Sequence, residues 1–157
     1  MKKILLFALV TLAAAGCAPA GGLQKITLTQ NYNYSHTLQI GGRTLMVEIA
    51  ATPAAKALGL SGRSAMEQNQ GMLFEFGKDS PAAPGFWMKN MQFNLDFIWI
   101  SQNKIIGITA DIAAPKADDE NLPLYHPPSP VTWVLEVNSG WAEKNNTKVG
   151  DEVKLVN

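Results

Sequence analysis

From Thr37 onward the chain alternates apolar and polar residues in short runs, and turn-forming residues break the runs at close intervals. Leu38 and Ile40, then Gly41-Gly42, then Leu45, Val47 and Ile49 predict a hairpin closed by a Gly-Gly turn. Thr52-Pro53 has the chemistry of a helix start, with Thr as N-cap and Pro at the first helical position. Pro53 to Leu58 is therefore predicted as a short helix that Gly59 stops. Ser64 to Asn69 is predicted as a further helical turn, and Gly71 to Phe76 as a strand. After a Pro-rich loop from Lys78 to Gly85, Phe86 to Lys89 returns to the core. Leu95 to Ile100 (LDFIWI) is the most strand-like run, and Ser101 to Asn103 turns it into a partner strand over Lys104 to Thr109. Asp111 to Pro130 is a long loop with five prolines, a length that in compact domains usually serves function. Thr132 to Val137 is a buried strand, Ser139 is expected to cap a short helix through Lys144, and Glu152 to Val156 is a last strand after the Gly150-Asp151 turn. Ile26 to Tyr34 has only a weak strand pattern. The sum is a mainly β (α+β) chain: a small single-domain β-barrel-like fold with one or two short helices.

The first 17 residues have a different pattern. Lys2 and Lys3 precede an apolar stretch from Ile4 to Leu12, and small residues from Ala13 to Gly16 run straight into Cys17. The apolar stretch is too short to span a bilayer and reads as an export signal. The small residues before Cys17 resemble the lipobox of bacterial lipoproteins, in which the cysteine is acylated and becomes the new N-terminus. Ala14 stands where Leu is commoner in that motif. The expected organisation is a lipoprotein signal peptide over 1–17, a flexible tether over 18–36 and a β-rich globular domain over 37–157. The expected location is the membrane surface facing the periplasm, held by a lipid on Cys17. Ala18 after Cys17, in place of Asp, points to the outer membrane by analogy with enterobacterial lipoproteins.

Charge narrows the partners. The chain has 13 basic and 13 acidic residues. Without Lys2 and Lys3 the balance is 11 against 13, a net charge of −2. No basic patch is dense enough for nucleic acid, and no polybasic or amphipathic stretch suits a membrane surface. Cys17 is the only cysteine, so the domain is expected to hold by packing without disulfides. With His36 and His126 as its only histidines, it offers no three-histidine metal site, and no cofactor is expected. Met66, Met72, Met88 and Met91 are close in sequence and could suit Cu(I), but their spacing fits core filling better. Asp118, Asp119 and Glu120 read as a solvated loop tip.

The candidate chemistry lies in charges embedded among hydrophobes. In LDFIWI, Leu95, Phe97 and Trp99 point one way and Asp96, Ile98 and Ile100 the other, so both faces are apolar and Asp96 is expected to be buried. Glu136 in TWVLEV poses the same problem. A buried carboxyl must be paired, hydrogen-bonded or neutralised, and Arg63 and Lys89 are the expected partners. One reading gathers Arg63, Lys89, Asn90, Asp96 and Glu136 into a polar cleft. The other has the two acids anchoring loops through backbone N–H groups. Phe86-Trp87-Met88-Lys89-Asn90-Met91 alternates, so one side is core and the other displays Trp87 beside a cation.

Together these segments carry a resemblance. Leu58 to Arg63, Gly71 to Phe76, Phe86 to Met91, Leu95-Asp96, Val134 to Val137 and Gly150-Asp151, in that order, resemble the uncharacterised conserved family called domain of unknown function one hundred and ninety-two. The resemblance runs from about Leu38 to Val156 and implies a compact β-rich fold. It matches at Arg63, Trp87, Met88, Lys89, Asn90, Asp96 and Glu136 and implies no activity. Three functions stay open. The first is a lipid-anchored, non-enzymatic envelope domain binding a small polar ligand, glycan or protein through Arg63, Trp87, Lys89, Asn90, Asp96 and Glu136. The second is a structural or assembly lipoprotein without a ligand site. The third is a hydrolase using Asp96 and Glu136, which requires both carboxyls to converge on one open pocket.

Overall fold

Among the described residues seven strands form one sheet in the order β5-β4-β6-β3-β2-β1-β7. They are β1 (His36–Ile40), β2 (Arg43–Ala50), β3 (Gln70–Glu75), β4 (Leu95–Ser101), β5 (Lys104–Ile112), β6 (Trp133–Asn138) and β7 (Val153–Val156), with helices α1 (Pro53–Leu58) and α2 (Trp141–Lys144). The structure, a computed structural model, describes residues 32–77, 84–116, 119 and 121–156. The expectations for the signal segment 1–17, Cys17, tether residues 18–31, the loop stretch 78–83, Asp118 and Glu120 lie outside the described residues. Among the described residues no helix is long and apolar enough to cross a membrane.

The hairpin forms as the sequence predicts. His36 to Ile40 pairs antiparallel with Arg43 to Val47, and Gly41 and Gly42 take the turn with φ of 53° and 80°, a region costly for residues with a Cβ. Neighbouring strands pair antiparallel except β2 and β3. That one parallel pair needs a crossover, supplied by α1 and the segment after it. The sheet curls until its outer strands meet: Lys104 of β5 bridges Glu152 beside β7, and the Val153 N–H donates to the Asn103 carbonyl at 2.8 Å.

Curling gives the sheet two apolar faces. The inner one carries Leu38, Leu45, Val47, Leu73, Ile98, Ile100, Leu135, Val137 and Trp141. The outer one carries Met72, Phe74, Leu95, Phe97, Trp99 and Val134, and the loops lay Leu60, Met66, Phe86, Met88, Met91 and Val131 over it. The central strands β3, β4 and β6 are therefore buried on both sides, as LDFIWI foretells. All four clustered methionines fill the outer core.

Three local expectations need correction. Ser64 to Asn69 forms bends and turns without a helix. α2 is capped by Gly140 and not by Ser139, whose hydroxyl donates to Asp111 Oδ1 at 2.7 Å. The domain's contacts begin before residue 37: Tyr34 packs on the outer core, and Tyr32 lies under the Arg63 guanidinium.

Candidate functional site

The outer face is roofed by two segments fastened to each other. Thr52 Oγ1 accepts the Ala55 N–H at 3.1 Å, Pro53 opens α1, and the Gly59 N–H closes the helix on the Ala55 carbonyl. Gly59 sits at φ 53°, and a Cβ there would stand 3.3 Å from Phe74 Cζ, so the chain passes close over the sheet. Beyond it the Ser61 hydroxyl donates to the Lys89 carbonyl at 2.9 Å, the Gly62 N–H to the Asn90 carbonyl at 2.9 Å, and Gln92 Nε2 back to the Gly62 carbonyl at 3.3 Å. The other end of the 86–91 segment is pinned where Phe86 and Tyr125 exchange backbone hydrogen bonds of 2.9 and 2.8 Å. The Phe86 ring, edge-on to Phe74 at 5.0 Å, Phe97 at 5.6 Å and Trp99 at 5.7 Å, joins roof to sheet.

Between roof and sheet opens a cleft of about 310 Å³, its walls including Phe74, Phe76, Phe86 and Trp87, with Lys56 and Glu136 also lining it. The volume is at the small end for ligand pockets. Strand register fixes the floor. Glu48 of β2 pairs with Met72, Met72 with Glu136 and Glu136 with Phe97, so these four residues form one row across the outer face. Glu136 is 5% exposed. Among the described residues it makes no hydrogen bond or ion pair, and no fully enclosed side-chain N or O lacks a partner, so its oxygens face the cleft. Burial pushes its carboxyl up to about 8, against a smaller opposing pull from the Arg63 charge. At neutral pH it is mostly a protonated acid that can both donate and accept.

Arg63 serves the neighbouring acid. Its Nη2 pairs with Glu48 Oε2 at 2.8 Å, its Nη1 donates to the Tyr34 hydroxyl at 3.2 Å, and its guanidinium lies 3.6 Å from the Tyr32 ring centre. Burial raises the Tyr34 phenol, so it stays neutral beside Arg63.

Asp96 is fully buried but on the other face, because it pairs with Val137 where Phe97 pairs with Glu136. Its Oδ1 accepts the N–H groups of Asp111 at 2.9 Å and Gly140 at 3.1 Å, and its Oδ2 accepts that of Ala142 at 3.0 Å. It thereby caps α2 from a distant strand and holds the β5 irregularity, where the β4–β5 register shifts between Leu95 and Phe97. This corrects two expectations. Neither Arg63 nor Lys89 pairs with Asp96, and Asp96 and Glu136 share no open pocket. The hydrolase that needs both carboxyls fails on geometry.

Trp87, Lys89 and Asn90 stand on the roof. Phe86 and Met88 point into the core while Trp87, 51% exposed, points out, with Lys89 Nζ 5.3 Å from its ring centre. Trp87 is a wall shared with a second, wider groove of about 980 Å³ lined also by Lys89, Asn90 and Gln92. The polar constellation is thus divided: Glu136 and Trp87 at the cleft, Arg63 beside it, Lys89 and Asn90 next door, and Asp96 across the sheet. Sequence reasoning missed Glu48, Lys56, Tyr34 and Phe76. Glu48 carried a usable signal, a lone acid between Val47 and Ile49. The others become site residues only through contacts distant in sequence. No group of three or more potential metal ligands of the His, Cys, Asp or Glu type occurs among the described residues.

The model of the DUF192 family, described as "Uncharacterized ACR, COG1430", matches residues 36–155, and the chain belongs to this family. It is similar to a "putative transcription regulator" from Sinorhizobium meliloti 1021, with 30% identity, a TM-score of 0.68, and 80% of this chain and 97% of that one covered. It is also similar to a protein of unknown function from Novosphingobium aromaticivorans DSM 12444, with 28% identity, a TM-score of 0.64, and 75% and 83% covered. No curated protein matches.

Proposed function

We propose that this DUF192 protein is a non-enzymatic binding domain of the cell envelope that holds a small ligand in the cleft over Glu136. One observation carries the reading: a carboxyl buried to 5% exposure, with no hydrogen-bond partner among the described residues, faces an aromatic-walled cavity. Buried polar groups are ordinarily satisfied by the fold or by water, and an acid open to an aromatic-walled cleft is placed to bind a ligand that displaces water. The ligand has an apolar body for the Phe and Trp walls and one polar head for Glu136. The one hydroxyl among the lining residues, Ser61, donates to the Lys89 carbonyl and not to a base.

The anchor is the second part of the proposal. The Lys2-Lys3 start, the short apolar stretch and the small residues before Cys17 support a lipid-modified cysteine that tethers the domain to the periplasmic side of a membrane. Fatty-acid labelling in growing cells tests it: Cys17→Ser should lose the label and leave the membrane fraction, and a variant that keeps both removes the anchor.

The binding site is tested by thermal-shift titration of the full-length protein against envelope glycans, short peptides and small amines, acids and alcohols. A ligand of the native state raises the melting temperature by mass action. Stabilisation that Glu136→Gln abolishes places the ligand in the cleft. A screen without any shift favours the assembly reading.

A further inference from the structure

Resting on the cleft reading above, we infer that the ligand's head is a small organic cation, an ammonium or guanidinium, seated between the aromatic walls and the Glu136 carboxyl.

The rings alone leave the head undecided, since they suit an apolar body as well as a cation. Glu136 decides it. Without a counter-charge the buried carboxyl stays protonated, and a cation beside it lets it ionise and form an ion pair. A neutral head gains at most a donated and an accepted hydrogen bond from the protonated acid and an anionic head only the donated one, whereas a cation alone pairs with the carboxylate. A cation supplies the charge that lets Glu136 ionise, and it meets a wall that includes Phe74, Phe76, Phe86 and Trp87. The wall already holds such a group: Lys56 Nζ lies 4.6 Å from the Phe76 ring centre.

Neither nearby cation fills the role: Lys56 stands over the Phe76 ring and makes no ion pair with Glu136. Arg63 is committed to Glu48 at 2.8 Å and to Tyr34. The charged and titratable groups around Glu136 are Glu48 from β2, Lys56 from α1, Arg63 from the segment after α1 and Tyr34 from the N-terminal segment. β3 and β4 present Met72 and Phe97, which do not titrate. Lys89 stands over Trp87 and lines the wider groove.

Binding then moves one proton. The ligand arrives as a cation, the protonated Glu136 carboxyl releases its proton to solvent, and the carboxylate pairs with the ligand. No covalent bond to the ligand forms or breaks. Below the Glu136 pKa of about 8, affinity for a cation should rise about tenfold per pH unit, because each binding event displaces one proton.

The test is calorimetric titration of the purified full-length protein with benzylammonium, choline and benzyl alcohol, from about pH 6 to about pH 8, in buffers of different ionisation heat. Benzylammonium should bind at least about tenfold more tightly than benzyl alcohol at the upper pH and release close to one proton at the lower. Glu136→Gln should remove both the pH slope and the preference. Trp87→Ala, at an exposed position, should weaken the ammonium probes several-fold with the fold intact and keeps the test decisive should the first variant not fold. Benzyl alcohol binding as well as benzylammonium, without proton release, overturns the cationic head while the cleft stands as a site for neutral ligands. Failure of every probe to bind the unaltered protein overturns the cationic head, and the cleft reading falls with it if the broader thermal-shift screen is also silent. Ammonium binding unchanged in both variants places it elsewhere and overturns the inference.

Discussion

Asp96 and Glu136 sit on adjacent strands, one pair out of register with each other, and are both almost fully buried, yet the fold treats them in opposite ways. Asp96 receives three backbone N–H groups from two segments far away in sequence. Glu136 receives none among the described residues and faces a cavity. Burial alone therefore does not mark a functional acid. What separates a structural carboxyl from an available one is the number of donors the fold aims at it. The face of the sheet sets that number here. The inner face meets the β6–α2 turn, with free N–H groups at the start of α2, and the outer face meets aromatic side chains.

The comparison breaks most visibly at Asp96. Asp96→Ala leaves three N–H donors without their acceptor, that of Ala142 buried, and should cost about 3 kcal/mol, read from urea unfolding. A cost below about 1 kcal/mol would remove its anchoring role. Arg63→Met comes next. It breaks the ion pair to Glu48 and the bond to Tyr34, and should cost roughly 2 kcal/mol, less than a fully buried pair because Glu48 is partly exposed. It should also raise the Glu136 pKa further, since the Arg63 charge is what opposes its rise. Carboxyl-carbon NMR resolves that shift.

Glu136→Gln should have the opposite sign to Asp96→Ala. An acid whose folded pKa is raised binds more protons in the native state than unfolded. Between its ordinary 4.5 and about 8 the native state therefore loses stability as pH rises. The unaltered protein should lose stability across that window and the Gln variant should not. At neutral pH the variant should be more stable by roughly 2 kcal/mol. Parallel pH profiles for the two proteins would show that Glu136 is satisfied after all. Trp87→Ala should be smallest, within about 0.5 kcal/mol, because the side chain stands on the surface and contributes to the cleft more than to the core.

Much of the fold was legible in the sequence for local reasons. The Gly41-Gly42 turn, the Thr52-Pro53 start of α1 and the alternation in LDFIWI are each settled by residues within a few positions, and the strands appear where the pattern puts them. The failures share a cause. Ser139 has the chemistry of a helix cap, but Asp96 reaches α2 from β4 and takes the N–H groups that a local cap would bind. Tyr32 and Tyr34 read as tether because their partner, Arg63, lies about thirty residues on.

The same division holds for the site. That Asp96 and Glu136 would be buried followed from the sequence, because period-two alternation inside apolar runs fixes which neighbours share a face. Of the residues the sequence singles out, Trp87 and Glu136 line the cleft and Arg63 pairs beside it. Their partners were decided by the tertiary structure. Register across β2, β3, β6 and β4 puts Glu48, Met72, Glu136 and Phe97 in one row, and the roof segments bring Arg63 to Glu48 and a cavity to Glu136. Pairing of charges depends on distances of a few ångströms between segments far apart in the chain, and no local pattern encodes those.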